Sequence, residues 1–162
     1  MTDTQHFPPA PPVLCRLRIL PSWLDYNGHM TEGRYLLVCS EVTDTLMALI
    51  GADRGYVARG HSYYTVETHI LHLGESHAGE LLEGSVQILG YDAKRIHVFV
   101  RLSVTDVPRA TLEQVLVHVD AKAGRAVPAP DDIQRNLAAF AKPHEAIPRP
   151  EAAGRSIGLA RR

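Results

Sequence analysis

Between residues 33 and 50 apolar side chains recur with the period of a helix. Tyr35, Val38, Val42, Leu46, Leu49 and Ile50 fall on one stripe, with Arg34, Glu41 and Thr45 elsewhere. Thr31 stands where an N-cap belongs, and Gly51 where a helix ends in a left-handed glycine. Leu36, Leu37, Cys39 and Met47 widen the apolar face beyond one stripe. A helix this apolar must be covered on more than one side, and that limits the folds open to the chain.

The flanking sequence says what can cover it. Before the helix, VLCRLRIL alternates Arg16 and Arg18 with Cys15, Leu17 and Ile19, the pattern of a half-buried strand that Pro21 stops. After it, a loop (ADRGYVARG) leads to HSYYTVETHILHL, rich in β-branched and aromatic residues. GESHAGE reads as a turn, LLEGSVQILG as a second strand, YDAK as a hairpin turn and RIHVFVRLSV as a third strand. TDVPRA, with Pro108, reads as a turn and TLEQVLVHVD as a fourth strand. AKAGR is another turn, and DDIQRNLAAFA, led by Asp131, a short terminal helix. The order predicts an α+β fold in which a strand and a four-stranded antiparallel meander, about five strands in all, curve around one long helix. The folded domain is expected over residues 13–141, after a disordered Pro-rich segment 1–12 and before a loosely held tail 142–162.

At 162 residues the chain has the length of one domain. A net charge of −1 gives no electrostatic case for nucleic acid or a membrane surface as partner. No apolar run approaches the roughly 20 residues that span a bilayer, and MTDTQHFPPAPP lacks the regions of a signal peptide. Cys15 and Cys39 sit inside apolar runs and read as reduced core residues, so a cytoplasmic location is expected.

The stretch WLDYNGHMTEGRYLLV, residues 23–38, sets Asp25, Asn27, Gly28 and His29 just ahead of the helix. Asp-Tyr-Asn-Gly is a good turn sequence, and Asx side chains bond their own backbone. The same carboxylate can also act as nucleophile or as general base on water. The unpaired N–H groups of the first helical turn suit a developing oxyanion, and Gly33 allows close approach there. Both readings stay open on residues alone.

Strand, Asp-x-x-Gly-His loop, buried helix and antiparallel strands resemble the hotdog fold. Asp25 to Met30, with Tyr35 one turn into the helix, resembles the 4-hydroxybenzoyl-CoA thioesterase-like group, and the Asp-x-Asn-x-His spacing is similar to that of acyl-ACP thioesterases. DYNGHMTEGRYL, GHSYYTVETHILHLGE and DAKRIHVF are similar to the narrower group of betainyl-CoA thioesterases of bacterial carnitine breakdown. One departure is Trp23, where the 4-hydroxybenzoyl-type enzymes often carry a second carboxylate. The resemblance implies an acyl-CoA thioesterase that hydrolyses betainyl-CoA to glycine betaine and CoA, with no cofactor. It makes Asp25 the essential acid, Asn27 and His29 further catalytic candidates, and Glu32 and Gly33 the backbone donors. It also implies a homodimer or dimer of dimers whose sheets join edge to edge, with Asp25 from one subunit and the strand of Tyr64 and His69 from the other. An exposed sheet edge in a monomer independently favours such pairing. Rival readings are a thioesterase for other short-chain or aromatic acyl-CoAs, a hotdog hydratase or dehydratase, and a non-catalytic acyl-CoA-binding protein.

A trimethylammonium group is held by aromatic faces, with a carboxylate in support. Trp23, Tyr26, Tyr64, Glu67 and His69 are the candidates, the alternative being that Trp23 and Tyr64 are core and Glu67 pairs with an arginine. Strict alternation puts Tyr63, Thr65, Glu67 and His69 on one strand face and Tyr64, Val66 and Thr68 on the other. Tyr63 and Tyr64 share a cage only if a bulge intervenes. His61, His69, His72 and His77 have no Cys beside them, and His69 and His72 would point to opposite strand faces, so no metal is expected. Lys94, Arg95 and Arg101 are candidates for the CoA phosphates.

Overall fold

The computed structural model describes residues 10–159. The segment expected to be disordered, 1–12, therefore lies outside the described residues except for its last three. The central helix α1 (Glu32–Ile50) forms as its periodicity predicts and buries Tyr35, Val38, Cys39, Val42, Leu46 and Ile50. Gly51 ends it at φ 92°, and Asn136 Nδ2 donates to the Ile50 carbonyl at 3.0 Å, satisfying one C-terminal orphan. Thr31 takes the N-cap position but its hydroxyl makes no capping bond. Leu36, Leu37 and Leu49 stay exposed, so one chain covers only part of the apolar face.

The sheet holds β1 (Val13–Arg18), β2 (His61–His72), β3 (Leu81–Tyr91), β4 (Arg95–Val104) and β5 (Val107–Asp120), all antiparallel, in the order β1-β3-β4-β5-β2. The expected meander is thus corrected: only β3, β4 and β5 form one, and β2 pairs with the far edge of β5. Residues 73–80 are a crossover, not a hairpin turn. Leu73 N–H bonds Arg109 O at one end and Gly79 N–H bonds Ile19 O at the other, each at 2.8 Å. Local patterning fixes that a segment is a strand, but not which neighbour it takes.

Three smaller expectations also change. ADRGYVARG contains a five-residue helix, α2 (Arg54–Ala58), capped by Asp53, whose carboxylate accepts from Tyr56 N. Pro108 lies within β5, because Thr105 (φ 46°) and Asp106 (φ 65°) close the β4–β5 hairpin in a two-residue left-handed turn. After the AKAGR turn, β6 (Arg125–Ala126) adds a short pair to β5, and α3 (Asp131–Ala141) packs Ile133, Leu137 and Ala141 into the core. Part of the segment expected to be a loosely held tail, 142–162, is tied to the fold, while Ile157 and Leu159 beyond it are exposed. Residues 142–154 are held by polar bonds: His144 Nδ1 accepts Ile88 N–H at 2.9 Å, Gln87 Nε2 donates to Ile147 O at 3.2 Å, and Gly154 N–H donates to Glu113 Oε2 at 2.6 Å.

α1 lies close against the sheet at Gly84, where an added Cβ would collide with Val42 Cγ2. Gly84→Ala should destabilise the fold by about 1–3 kcal/mol through overpacking. Urea unfolding reads this directly, and an unchanged midpoint would show that the helix can lift freely. Two buried histidines add a pH dependence. His118 hydrogen-bonds Tyr56 Oη (2.6 Å) and Val127 O (2.9 Å), and burial holds it and His144 below the usual histidine pKa. The unfolded chain takes up these protons first. Stability should therefore fall as pH drops through about 6.5, by at most ~1.4 kcal/mol per pH unit for each. Unfolding at pH 7.5 and 5.5 should show this slope, and His144→Asn should make it shallower.

Candidate active site

Ahead of α1 the backbone closes a small loop. Leu24 bridges Met30, Asp25 N–H donates to His29 O at 2.9 Å, and Gly28 N–H donates to Asp25 O at 3.0 Å, with Gly28 at φ 79°. The left-handed position is one a glycine adopts without strain. Thr31 N–H bonds Trp23 O, which ties the loop's exit to its entry at 3.0 Å. Asp25 Oδ1 accepts Asn27 N–H at 2.8 Å and His29 N–H at 3.4 Å. The Asn27 backbone donor, followed by the weaker His29 one, holds the Asp25 carboxyl below the ordinary aspartate range, so it is ionised at neutral pH. The turn reading of this motif is met, and it leaves one carboxylate oxygen over. Oδ1 caps the loop, and Oδ2 has no protein partner among the described hydrogen bonds.

The same loop delivers the N-terminus of α1. Thr31 N–H is taken by Trp23 O and Arg34 N–H by Thr31 O, while Glu32 and Gly33 have no backbone acceptor among the described residues. These two donors sit at the positive end of a 19-residue helix. A Cβ on Gly33 would meet nothing within 4 Å, so the approach to them is open. A carboxylate with one free oxygen and two free N–H groups is a set that can attack, or direct water at, an acyl carbon and hold the oxyanion.

The other predicted site residues are distributed differently. Asn27 serves Asp25 through its backbone. His29 Nε2 lies 3.2 Å from Glu75 Oε2 and its ring meets His77 edge-on at 5.1 Å. Trp23 packs on the core with the Arg34 guanidinium 5.6 Å from its ring centre, and Tyr26 is 97% exposed. A β-bulge at Val66 corrects the expected strand faces. Tyr63 pairs with His118, Thr65 with Leu116, and then Glu67 with Val115 and Thr68 with Gln114. Tyr63, Thr68 and Ile70 consequently face α1, where Gln114 Nε2 donates to Thr68 Oγ1 at 3.1 Å. Tyr64, Glu67 and His69 share the outer face. Glu67 and His69 line a cleft of about 540 Å³ with His97, Glu113 and Ile157, and no residue of the 23–33 loop lines it. Glu113 there stays below the ordinary range despite its burial, held by the Gly154 N–H and by His97 at 2.7 Å. Within one chain, then, Asp25 and the three β2 residues do not meet.

Two charged candidates for CoA are already engaged: Arg95 pairs with Asp92 at 2.6 Å and Arg101 donates to Asp106 O at 2.5 Å. Sequence reasoning missed Glu75, read as part of a turn, and weighed His77 as a metal ligand only beside His61, His69 and His72, not beside His29. The crossover brings Glu75 and His77 to His29, and one ligand atom from each of the three lies within 4.8 Å of the others. The four histidines weighed as metal ligands are spread out: His61 stacks on His118 and His72 meets Tyr35 edge-on.

A family model described as Thioesterase-like superfamily matches residues 19–137. The L-carnitine dehydrogenase/betainyl-CoA thioesterase of Rhizobium meliloti is 47% identical over 146 residues, 89% of this chain, and the chain spans 29% of that relative's length. The betainyl-CoA thioesterase of Pseudomonas aeruginosa is 42% identical over 144 residues, which is 87% of this chain and 91% of the relative. Among solved structures, a candidate thioesterase of Pseudomonas putida superposes with a TM-score of 0.81 at 34% identity, covering 94% of this chain and 99% of its own. A Staphylococcus aureus protein solved with CoA gives 0.83 at 22% identity, covering 93% and 97%, and shares the fold.

Proposed function

The chain belongs to the thioesterase-like superfamily and carries its hotdog fold, and from that premise we propose that it hydrolyses betainyl-CoA to glycine betaine and CoA. The observation that carries the reading is the pairing of an ionised Asp25, one oxygen free, with the open N–H groups of Glu32 and Gly33. Asp25 takes a proton from water as it attacks the acyl carbon and passes it to the departing sulfur. In the alternative Asp25 attacks the carbon itself, the thiolate takes its proton from solvent, and water then hydrolyses the acyl-aspartyl anhydride to free the acid and the carboxylate. The carbonyl oxygen becomes an oxyanion held by the two N–H groups, the C–S bond breaks, and CoA leaves as its thiol. His29, four residues on and close to the carboxylate through the backbone, steadies the loop. No cofactor enters the reaction.

The choice of acyl group rests on the relatives' names and on the aromatic and acidic residues of β2. Tyr64, Glu67 and His69 share one face in the single chain and lie apart from Asp25. In our reading they reach an active site across a homodimer in which β2 edges pair. Two features support this. β2 is a 12-residue edge strand with Tyr64 52% and Val66 61% exposed, and Leu36 and Leu37 leave the helix surface uncovered. Cys15 and Cys39 are free thiols, which fits a cytoplasmic enzyme, and no described helix is long and apolar enough to cross a membrane.

The deciding assay compares betainyl-CoA with 3,3-dimethylbutyryl-CoA, its neutral isostere, for wild type and Asp25→Asn. We expect betainyl-CoA to be preferred about 100-fold, roughly 2.7 kcal/mol, and activity on both to fall at least about 100-fold in the variant. Equal turnover of the two esters would remove the betainyl assignment while keeping the thioesterase. Turnover independent of Asp25 would remove both. Gly33→Ala separates catalysis from folding: the helix should gain about 0.4–1 kcal/mol, while kcat/KM drops because a methyl now blocks the donors. A variant both more stable and fully active would place the oxyanion elsewhere.

A further inference from the structure

The crossover 73–80 reaches the 24–30 loop by a backbone bond, Met30 N–H to Ser76 O at 2.8 Å. That bond fixes which side chains come together. Ser76 is fully buried, and Glu75 and His77, one on either side of it, are exposed. In extended backbone, residues two apart project the same way, so both emerge beside His29. We propose that His29, Glu75 and His77 form a binding site for a divalent transition metal, with Zn²⁺ the ion that suits its donors best.

The geometry supports it on three counts. His29 Nε2 and Glu75 Oε2 are 3.2 Å apart, and the His29 and His77 ring centres are 5.1 Å apart at 87°. One ligand atom from each residue lies within 4.8 Å of the other two. Two imidazoles and a carboxylate are the donor set of zinc sites that keep an open fourth position. With metal–ligand bonds of about 2.0–2.2 Å, a tetrahedral site wants its donors about 3.3–3.5 Å apart. The closure still needed is small, and exposed side chains can make it by rotamer adjustment. An outer shell is also in place. Glu80 Oε2 accepts the His77 backbone N–H at 2.8 Å, which holds it 3.9 Å from the ring's Nδ1, and Arg109 lies 3.5 Å from the other Glu80 oxygen. A carboxylate on the far nitrogen of a ligating imidazole orients it. The ion would join two segments that are distant in sequence, and would engage the His29 imidazole beside Asp25.

The inference is independent of the substrate, and its test needs none. Tag-free, metal-stripped full chain is titrated with Zn²⁺ by calorimetry and with Co²⁺ by visible absorption, and Tm is followed with and without Zn²⁺. We expect one ion per chain, a tetrahedral Co²⁺ spectrum and a raised Tm. His77→Ala and Glu75→Gln should each weaken binding at least tenfold and abolish the Tm shift. His69→Ala, on the outer face of β2, should leave all three readouts unchanged. Circular dichroism establishes that each variant is folded. If wild type takes up no stoichiometric ion, or if both site variants bind as wild type does, the site does not exist as described and any bound ion sits among the other histidines.

Discussion

The seating of α1 on Gly84 is the contact on which the rest depends. Val42 occupies the space a side chain at 84 would fill, so the helix axis lies close against the concave side of the sheet. Tyr35, Val38 and Cys39 then reach the core one turn after the helix begins. The N-terminus is therefore positioned by packing, with no contribution from a side-chain cap. A threonine at the N-cap commonly accepts one of the first N–H groups through its side-chain oxygen. Here Thr31 does not, and the donors at Glu32 and Gly33 keep their hydrogen-bonding capacity because burial of the next two turns stabilises the helix instead.

Asp25 shows a related division between its two oxygens. One is fully committed to the loop's own backbone, which fixes the carboxylate and keeps it charged, and the other has no partner among the described hydrogen bonds. Position and charge state come from the same two hydrogen bonds. The site is consequently rigid without being deep, and its missing wall must come from outside the chain or from the ligand.

Much of this was legible in the sequence, and the failures have physical causes. α1 and the five long strands were readable because a period of 3.6 or 2 persists over many residues. The Asp25 loop was readable as a turn because Asp, Asn and Gly in one short stretch bond their own backbone. The neighbour of β2 was not, since sheet order is decided by tertiary packing and the crossover has the composition of a turn. The grouping of Glu75 and His77 with His29 was hidden for the same reason: His29 lies more than forty residues away. The tail escaped notice because side-chain-to-backbone bonds at His144, Gln87 and Glu113 hold it, and these leave no apolar rhythm. The grouping of Tyr64 with Glu67 and His69 was missed because a single unpaired residue leaves no mark on composition.

That unpaired residue, Val66, gives β2 a phase slip. The strand is continuous to the eye, but its two halves count faces with opposite parity: odd positions look toward the helix before it, even positions after it. Sequence change along β2 is constrained accordingly. A substitution pattern tolerated at every second residue from 61 to 65 becomes the forbidden one from 67 to 72. Losing the residue at the slip would let one alternation run through the whole strand, with Tyr63, Thr65, Thr68 and Ile70 on the helix side and Tyr64, Glu67 and His69 outside.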